Sequence, residues 1–391
     1  MSDEQHWRLA TRAVRGGLSR SAHQETAEAI YLTSGFVYAS AAEADARFAG
    51  TAPGYIYGRY ANPTLSMFEA RLAALEGAEA CLSTASGMAA ITAAVLAPLK
   101  AGDRVVAPRA LFGSCLWVLE VLLPRFGVEV ELLDGADLAA WARACERPVQ
   151  LALIETPANP TLSGVDIAAV RELLPKGALL VADNAFASPA LQNPLQFGAD
   201  VVVYSATKHI DGQGRTLGGA ILASQKLIDD TYREFLRHTG PALSPFNAWV
   251  LLKGLETLQL RVEAQSRSAA ALADVLAAHP RIARLRYPGR ADHPDYAVHA
   301  RQMRMGGTLL AFDVAGGREG AWAFLDRLRL IDISNNLGDA KSLATHPETT
   351  THRRLTPEAR AAIGVSPGTV RLSVGLEDVR DLEHDLAEAL G

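Results

Sequence analysis

Residues 200–219 read DVVVYSATKHIDGQGRTLGG. The apolar, β-branched run at 201–203 stops at Ser205, Ala206, Thr207 and Lys208, and a glycine-spaced loop follows before the next apolar run begins at Ala220. This pattern predicts a strand that delivers a lysine, flanked by hydroxyls, to the mouth of a loop. A lysine in such a place can serve as a nucleophile. The chain has only six lysines among its 38 basic residues, so Lys208 is not one solvated cation among many.

Working outward, strand-like runs at 104–107, 128–133, 149–154, 178–182, 201–204 and 220–223 alternate with helix-like segments. Runs apolar on both faces and separated by amphipathic stretches predict an α/β fold, a mostly parallel sheet covered by helices on both sides. Ligands of such sheets sit beyond the carboxyl ends of the strands. There, in ALLVADNAF, Asp183 directly follows five apolar residues, where an ionised carboxylate is costly unless it faces a cation or donors. The segment 184–199 is long enough for a parallel crossover, which puts Asp183 and Lys208 at one crevice.

A lysine able to condense with an aldehyde and an aspartate able to hold a protonated ring nitrogen are two of three things that pyridoxal 5'-phosphate requires. The third is a phosphate cradle. Ser86, Gly87 and Met88 open the helix-like run MAAITAAVLAPL after the strand-like EACLSTAS, so free N–H groups at that helix start can bind a dianion. Ser205 and Thr207 add hydroxyl donors. Taken singly, a capping serine or a buried ion pair accounts for each feature equally well.

Elsewhere, Asn62, Pro63 and Gly77 bracket a helix whose apolar face is Leu65, Phe68, Leu72 and Leu75. Residues 1–60 show no sustained periodicity and read as an arm packed on something else, a neighbouring subunit included. A cofactor-binding domain is expected over 61–245. A long helical pattern from Ser244 to His279 leads into a second domain, 246–391, with strand candidates at 282–287, 308–314 and 369–374 that alternate as an antiparallel sheet with one exposed face does. Trp249, Trp322 and Met303 fall in helix-like stretches and read as packing residues.

At 391 residues the chain is too long for one ordinary core. A net charge of -5 argues against a nucleic-acid or anionic-membrane partner and leaves a small metabolite as the expected ligand. The start lacks the apolar core of a signal peptide, the longest apolar stretch, 88–99, is too short to span a bilayer, and Cys81, Cys115 and Cys145 are isolated. Together these features predict a cytoplasmic protein. No metal site is expected: His346 and His352 in HPETTTH have no zinc-motif spacing, GQGRTLGG has Leu217 where a dinucleotide loop needs glycine, and no P-loop or GxSxG elbow occurs.

The segments SATKHIDGQGRTLGG, YGRYANPT, SGM, ETPANPT, VADNAF and VRLSVGLEDVRDL, in that family's order along the chain, resemble the Cys/Met-metabolism family of pyridoxal-phosphate enzymes. That family comprises cystathionine synthases and lyases, methionine gamma-lyases and sulfhydrylases. The resemblance implies an aminotransferase-like fold of type I, with a mostly parallel seven-stranded sheet and a smaller C-terminal α+β domain. By the same resemblance, Lys208 bonds the cofactor and shuttles protons, Asp183 pairs with the pyridine nitrogen, and Gly87, Met88, Ser205 and Thr207 bind the phosphate. Tyr57 and Arg59 match residues that reach the phosphate from the neighbouring subunit, which implies a homotetramer built as a dimer of dimers. Asn159 matches a position near the phenolic oxygen, and Arg371 matches the clamp on the substrate α-carboxylate. Phe112 stands in LFG where the family commonly has LYG, so ring stacking remains without the hydroxyl. Asn336, in NLG, stands where the family usually has SLG near that clamp, and the resemblance implies that it binds the substrate.

The 209–219 loop and SNNLGDAKSLATHPETTTH look most like the sulfhydrylases, implying γ-replacement on an acyl-homoserine, O-succinyl-L-homoserine, by sulfide to give L-homocysteine and succinate in methionine biosynthesis. Cystathionine γ-synthase or γ-lyase activity, or O-acetylhomoserine as substrate, are the alternatives within the family. A non-catalytic small-molecule-binding α/β protein is the alternative from another class.

Overall fold

The computed structural model describes residues 6–391; residues 1–5 of the expected arm lie outside the described residues. Seven short strands form the first sheet: β1 (Ala80–Thr84), β2 (Arg104–Pro108), β3 (Glu129–Leu133), β4 (Leu151–Glu155), β5 (Leu179–Asp183), β6 (Val201–Ser205) and β7 (Gly219–Ala223). Their order is β1-β7-β6-β5-β4-β2-β3. Only β7 runs antiparallel, to both of its neighbours, and the remaining pairs are parallel. Alternation along β6 shows why the central strands are apolar throughout: Val202 joins the cluster of Phe68, Leu72 and Trp141 on one face, and Val201 and Val203 join that of Ile91, Leu119 and Ile221 on the other.

Two helices begin at capped residues, and the second of them leads into the site. Pro63–Glu76 begins where the Asn62 side chain accepts the Thr64 N–H at 2.8 Å and ends at Gly77, whose φ of 84° a side chain would strain. Gly87–Leu96 begins where the Ser86 hydroxyl accepts the Ala89 N–H at 3.2 Å.

The helical pattern after Ser244 is not one helix but two, Pro245–Glu256 and Leu258–Ala278. The break falls at Thr257, whose backbone leaves the helical region while its hydroxyl accepts from Arg261 Nε at 3.2 Å. The second sheet has the order β10-β11-β12-β9-β8, made of β8 (Ile282–Arg286), β9 (Leu309–Val314), β10 (Asp332–Ile333), β11 (Leu343–Thr345) and β12 (Thr369–Ser373). The expected exposed face is absent from its centre, because β9 and β12 are buried along their whole length. Leu310, Phe312, Val370 and Leu372 pack in one cluster with Leu272, Phe324 and Leu386 from the covering helices, and Leu309 and Ala311 meet Leu162, Phe186 and Leu337 on the other side.

The N-terminal region, read as lacking periodicity, contains helices Leu9–Arg15 and Ala41–Phe48. Fully buried Arg71 ties part of it down by donating to Gly16 O at 2.8 Å and to Glu28 at 2.6 Å. Beyond that anchor Leu32, Val37 and Phe48 are exposed by 69%, 93% and 66%, an apolar stretch with no cover in the single chain. Among the described residues no helix is long and apolar enough to cross a membrane.

Candidate active site

The carboxyl ends of β4, β5 and β6 open into a cavity lined by Gly87, Met88, Phe112, Glu155, Asn159, Asp183, Ser205, Lys208 and Arg371. Strand register explains the grouping. Glu155 pairs with Asp183 across β4 and β5, and β6 ends in the turn that carries Lys208. Lys208 Nζ donates to Asn336 Oδ1 at 2.6 Å, a bond to the loop between β10 and β11 of the second sheet. Burial, and then the Arg371 guanidinium, lower the Lys208 pKa to about 8. A neutral amine is therefore accessible near physiological pH.

Asp183 accepts the Ala185 N–H at 3.0 Å. Burial pushes its carboxyl up, while that N–H and Lys208 favour the anion. Arg371 reaches in from β12, fully buried, and donates through Nη1 to Asn159 Oδ1 at 2.9 Å and through Nη2 to the Asn335 and Asn336 carbonyls at 2.9 and 3.1 Å. Its Nε has no partner, so a buried cationic donor is free for an anionic ligand. His209, next to Lys208, is spent on structure: its ring nitrogens contact Ala185 O and Thr308 Oγ1, and burial drives its pKa to about 4, which keeps it neutral.

At the start of the helix Gly87–Leu96, a Cβ on Gly87 would stand 2.6 Å from Ser205 Cβ, so only glycine lets the helix start approach β6 this closely. Gly87, Met88 and Ser205 line the cavity. Thr207 departs from that group, since its hydroxyl is engaged with Gly218, accepting from the N–H at 3.1 Å. Tyr57 and Arg59 lie outside the cavity of their own chain: Arg59 stacks over Tyr57 and Tyr60 and donates to the Arg237 carbonyl. A lysine, a buried carboxylate, an unpartnered arginine nitrogen and a glycine-opened helix start make a donor set that fits pyridoxal phosphate.

These features have counterparts among known proteins. Residues 10–391 match the family described as Cys/Met metabolism PLP-dependent enzyme. The chain belongs to that family. Its cofactor is thus pyridoxal phosphate. It is 56% identical over 388 residues, covering 97% of this chain and 95% of the relative, to O-succinylhomoserine sulfhydrylase of Mycobacterium tuberculosis. It is 49% identical to the protein of that name from Pseudomonas aeruginosa, over 97% and 94% of the two chains. Cystathionine gamma synthase from Xanthomonas oryzae pv. oryzae, solved in complex with cystathionine, superposes with a TM-score of 0.93 at 37% identity over 98% of each chain.

Sequence reasoning missed Glu155, although the signal that exposed Asp183, a carboxylate straight after an apolar run, was present in LALIETPANPT. It also missed His293, Asp295 and His299, whose ligand atoms lie within 4.8 Å of one another. Two of these residues clamp the loop carrying Asn159: Asp295 accepts the Gly164 N–H at 2.8 Å, and His299 Nε2 donates to Leu162 O at 3.0 Å. Beside that clamp lies a cleft of about 370 Å³, larger than the lysine cavity, but no lysine lines it.

Proposed function

We propose that this chain catalyses γ-replacement, converting O-succinyl-L-homoserine and sulfide to L-homocysteine and succinate, a step of methionine biosynthesis. The observation that carries the reading is the 56% identity along nearly the whole chain to an O-succinylhomoserine sulfhydrylase. Bound pyridoxal phosphate supplies an electron-accepting ring that makes protons on the substrate carbons next to its amine removable.

The residues divide the remaining work. Lys208 bonds the cofactor through Nζ and moves protons at the substrate Cα, a role favoured by its lowered pKa. Asp183 holds the proton on the ring nitrogen. Gly87, Met88 and Ser205 cradle the phosphate, and Thr207 supports that loop through Gly218. Phe112 would cover the ring face and Asn159 would stand near its phenolic oxygen. Arg371 clamps the α-carboxylate, for which a planar guanidinium with a free Nε is suited. Asn336 holds Lys208 on the substrate side.

The uncovered apolar stretch of residues 1–60, with Tyr57 and Arg59 turned away from their own cavity, supports an arm that completes the neighbour's site in a homotetramer made of two dimers. Residues 61–245 form the cofactor domain and 246–391 the second domain. The deciding experiment supplies sulfide with O-succinyl- or O-acetyl-L-homoserine and measures succinate, acetate and homocysteine. Succinate release that depends on sulfide is expected. Failure to consume sulfide with either ester, or 2-oxobutanoate formation without a nucleophile, overturns the reading in favour of a γ-lyase, and faster turnover with cysteine favours a cystathionine synthase.

A further inference from the structure

Glu155 ends β4 beside Asp183, is 2% exposed and lines the lysine cavity. Its two oxygens go to two different loops. Oε2 accepts the Phe112 N–H at 2.7 Å, just after β2, and Oε1 accepts the Asn159 N–H at 2.9 Å, just after β4 itself. Asn159 in turn accepts from Arg371. One carboxyl group therefore links the aromatic side chain at one wall of the cavity, the amide at another, and the arginine that crosses from the second sheet.

The choice of a carboxyl is costly. Burying an ionisable group against a second buried carboxyl is unfavourable, and both burial and Asp183 push Glu155 upward in pKa. Joining two loops does not by itself need that chemistry, because a neutral amide or a backbone carbonyl can accept an N–H at lower desolvation cost. What distinguishes Glu155 is that a single rigid group accepts at both ends, so the spacing between the two amides follows from the carboxyl geometry.

We propose that Glu155 is a positioning residue that sets the width of the cofactor slot by fixing the backbones of Phe112 and Asn159 relative to each other. The proposal rests on the reading that these two side chains contact the cofactor. Wild-type protein is therefore checked first for near-visible absorption and for sulfide consumption, whose absence would fail that reading and not this one.

The test compares E155D, E155Q and E155A with wild type. The readouts are the dissociation constant for pyridoxal phosphate titrated into cofactor-stripped protein, the position of the near-visible absorption band, the KM for O-succinyl-L-homoserine and the melting temperature. Aspartate keeps the carboxyl group but is one methylene too short to hold both amides. Glutamine keeps the length but turns an N–H₂ against one of the two N–H groups. In E155D we expect cofactor affinity to fall about tenfold, as for the loss of one hydrogen bond, with a shifted band and a raised KM. E155Q falls between E155D and wild type. If E155A does not fold, the other two variants carry the test. The band and KM are decisive, because a merely less stable fold moves neither in the folded protein. A change in either supports the proposal. Wild-type band and KM in E155D overturn it, including the case where only the melting temperature drops, which leaves Glu155 a fold-holding residue.

Discussion

A lysine amine is a nucleophile only when neutral, and burial together with Arg371 brings that form within reach by lowering the Lys208 pKa to about 8. Below that pH the amine is charged and inactive, and above it the neutral fraction saturates. Capture of pyridoxal phosphate by cofactor-stripped protein should therefore accelerate as pH rises through about 8 and then level off; a stopped-flow absorbance profile that stays flat between pH 6 and 9 would count against it. Lys208→Ala should give a protein without near-visible absorption and without turnover, read by spectrum and by homocysteine formation. Arg371→Lys keeps a positive charge but loses the planar donor set and the free Nε. Its KM for O-succinyl-L-homoserine should rise on the order of 10–100-fold with a smaller change in kcat. Lys208 and Asp183 were legible because each interrupts an apolar run at its end. Glu155 carried the same mark, but its meaning depends on strand register, which places it against Asp183 and cannot be read from one strand alone.

The carboxyl ends of three parallel strands and the start of one helix do most of the positioning. The helix Gly87–Leu96 can meet β6 only because residue 87 lacks a side chain: an added Cβ would lie within 2.8 Å of three Ser205 atoms. Gly87→Ala should cost about 1–3 kcal/mol of stability, as overpacking does, and weaken cofactor binding at the same time. Urea unfolding and cofactor titration measure the two effects, and an alanine variant with unchanged affinity would remove the helix start from the phosphate site. Strands of the first sheet were legible because burial on both faces leaves them uniformly apolar. Strands β10 and β11 were not, since two or three residues carry no period. The bend at Thr257 escaped for a different reason: threonine is tolerated inside helices, and the contact that turns the chain comes from Arg261, one turn further on.

Across the whole molecule, two sheets share one site, and the proposed arm extends that sharing to a second chain. If Arg59 serves a neighbour while Lys208 serves its own chain, mixed dimers of Arg59→Ala and Lys208→Ala protomers contain one site with both defects and one with neither. Co-refolding equal amounts of the two inactive variants should then restore about a quarter of wild-type activity, and mixtures as inactive as their components would place Arg59 and Lys208 in the same site. The aperiodic start suggests an arm, but the expected assembly of two dimers comes from the family resemblance, since an exposed Val37 or Phe48 does not announce what covers it.

The bond from Lys208 to Asn336 and the bond from Arg371 to Asn159 both cross between the parts of the chain that carry the two sheets. A ribosome releases the strand that leads to Lys208 well before the strand bearing Arg371 exists. Until that strand docks, the lysine lacks the arginine that, after burial, lowers its pKa. The lysine's full setting, hydrogen-bond partner and neighbouring cation alike, therefore exists only once the whole chain has been made and its two sheets have met.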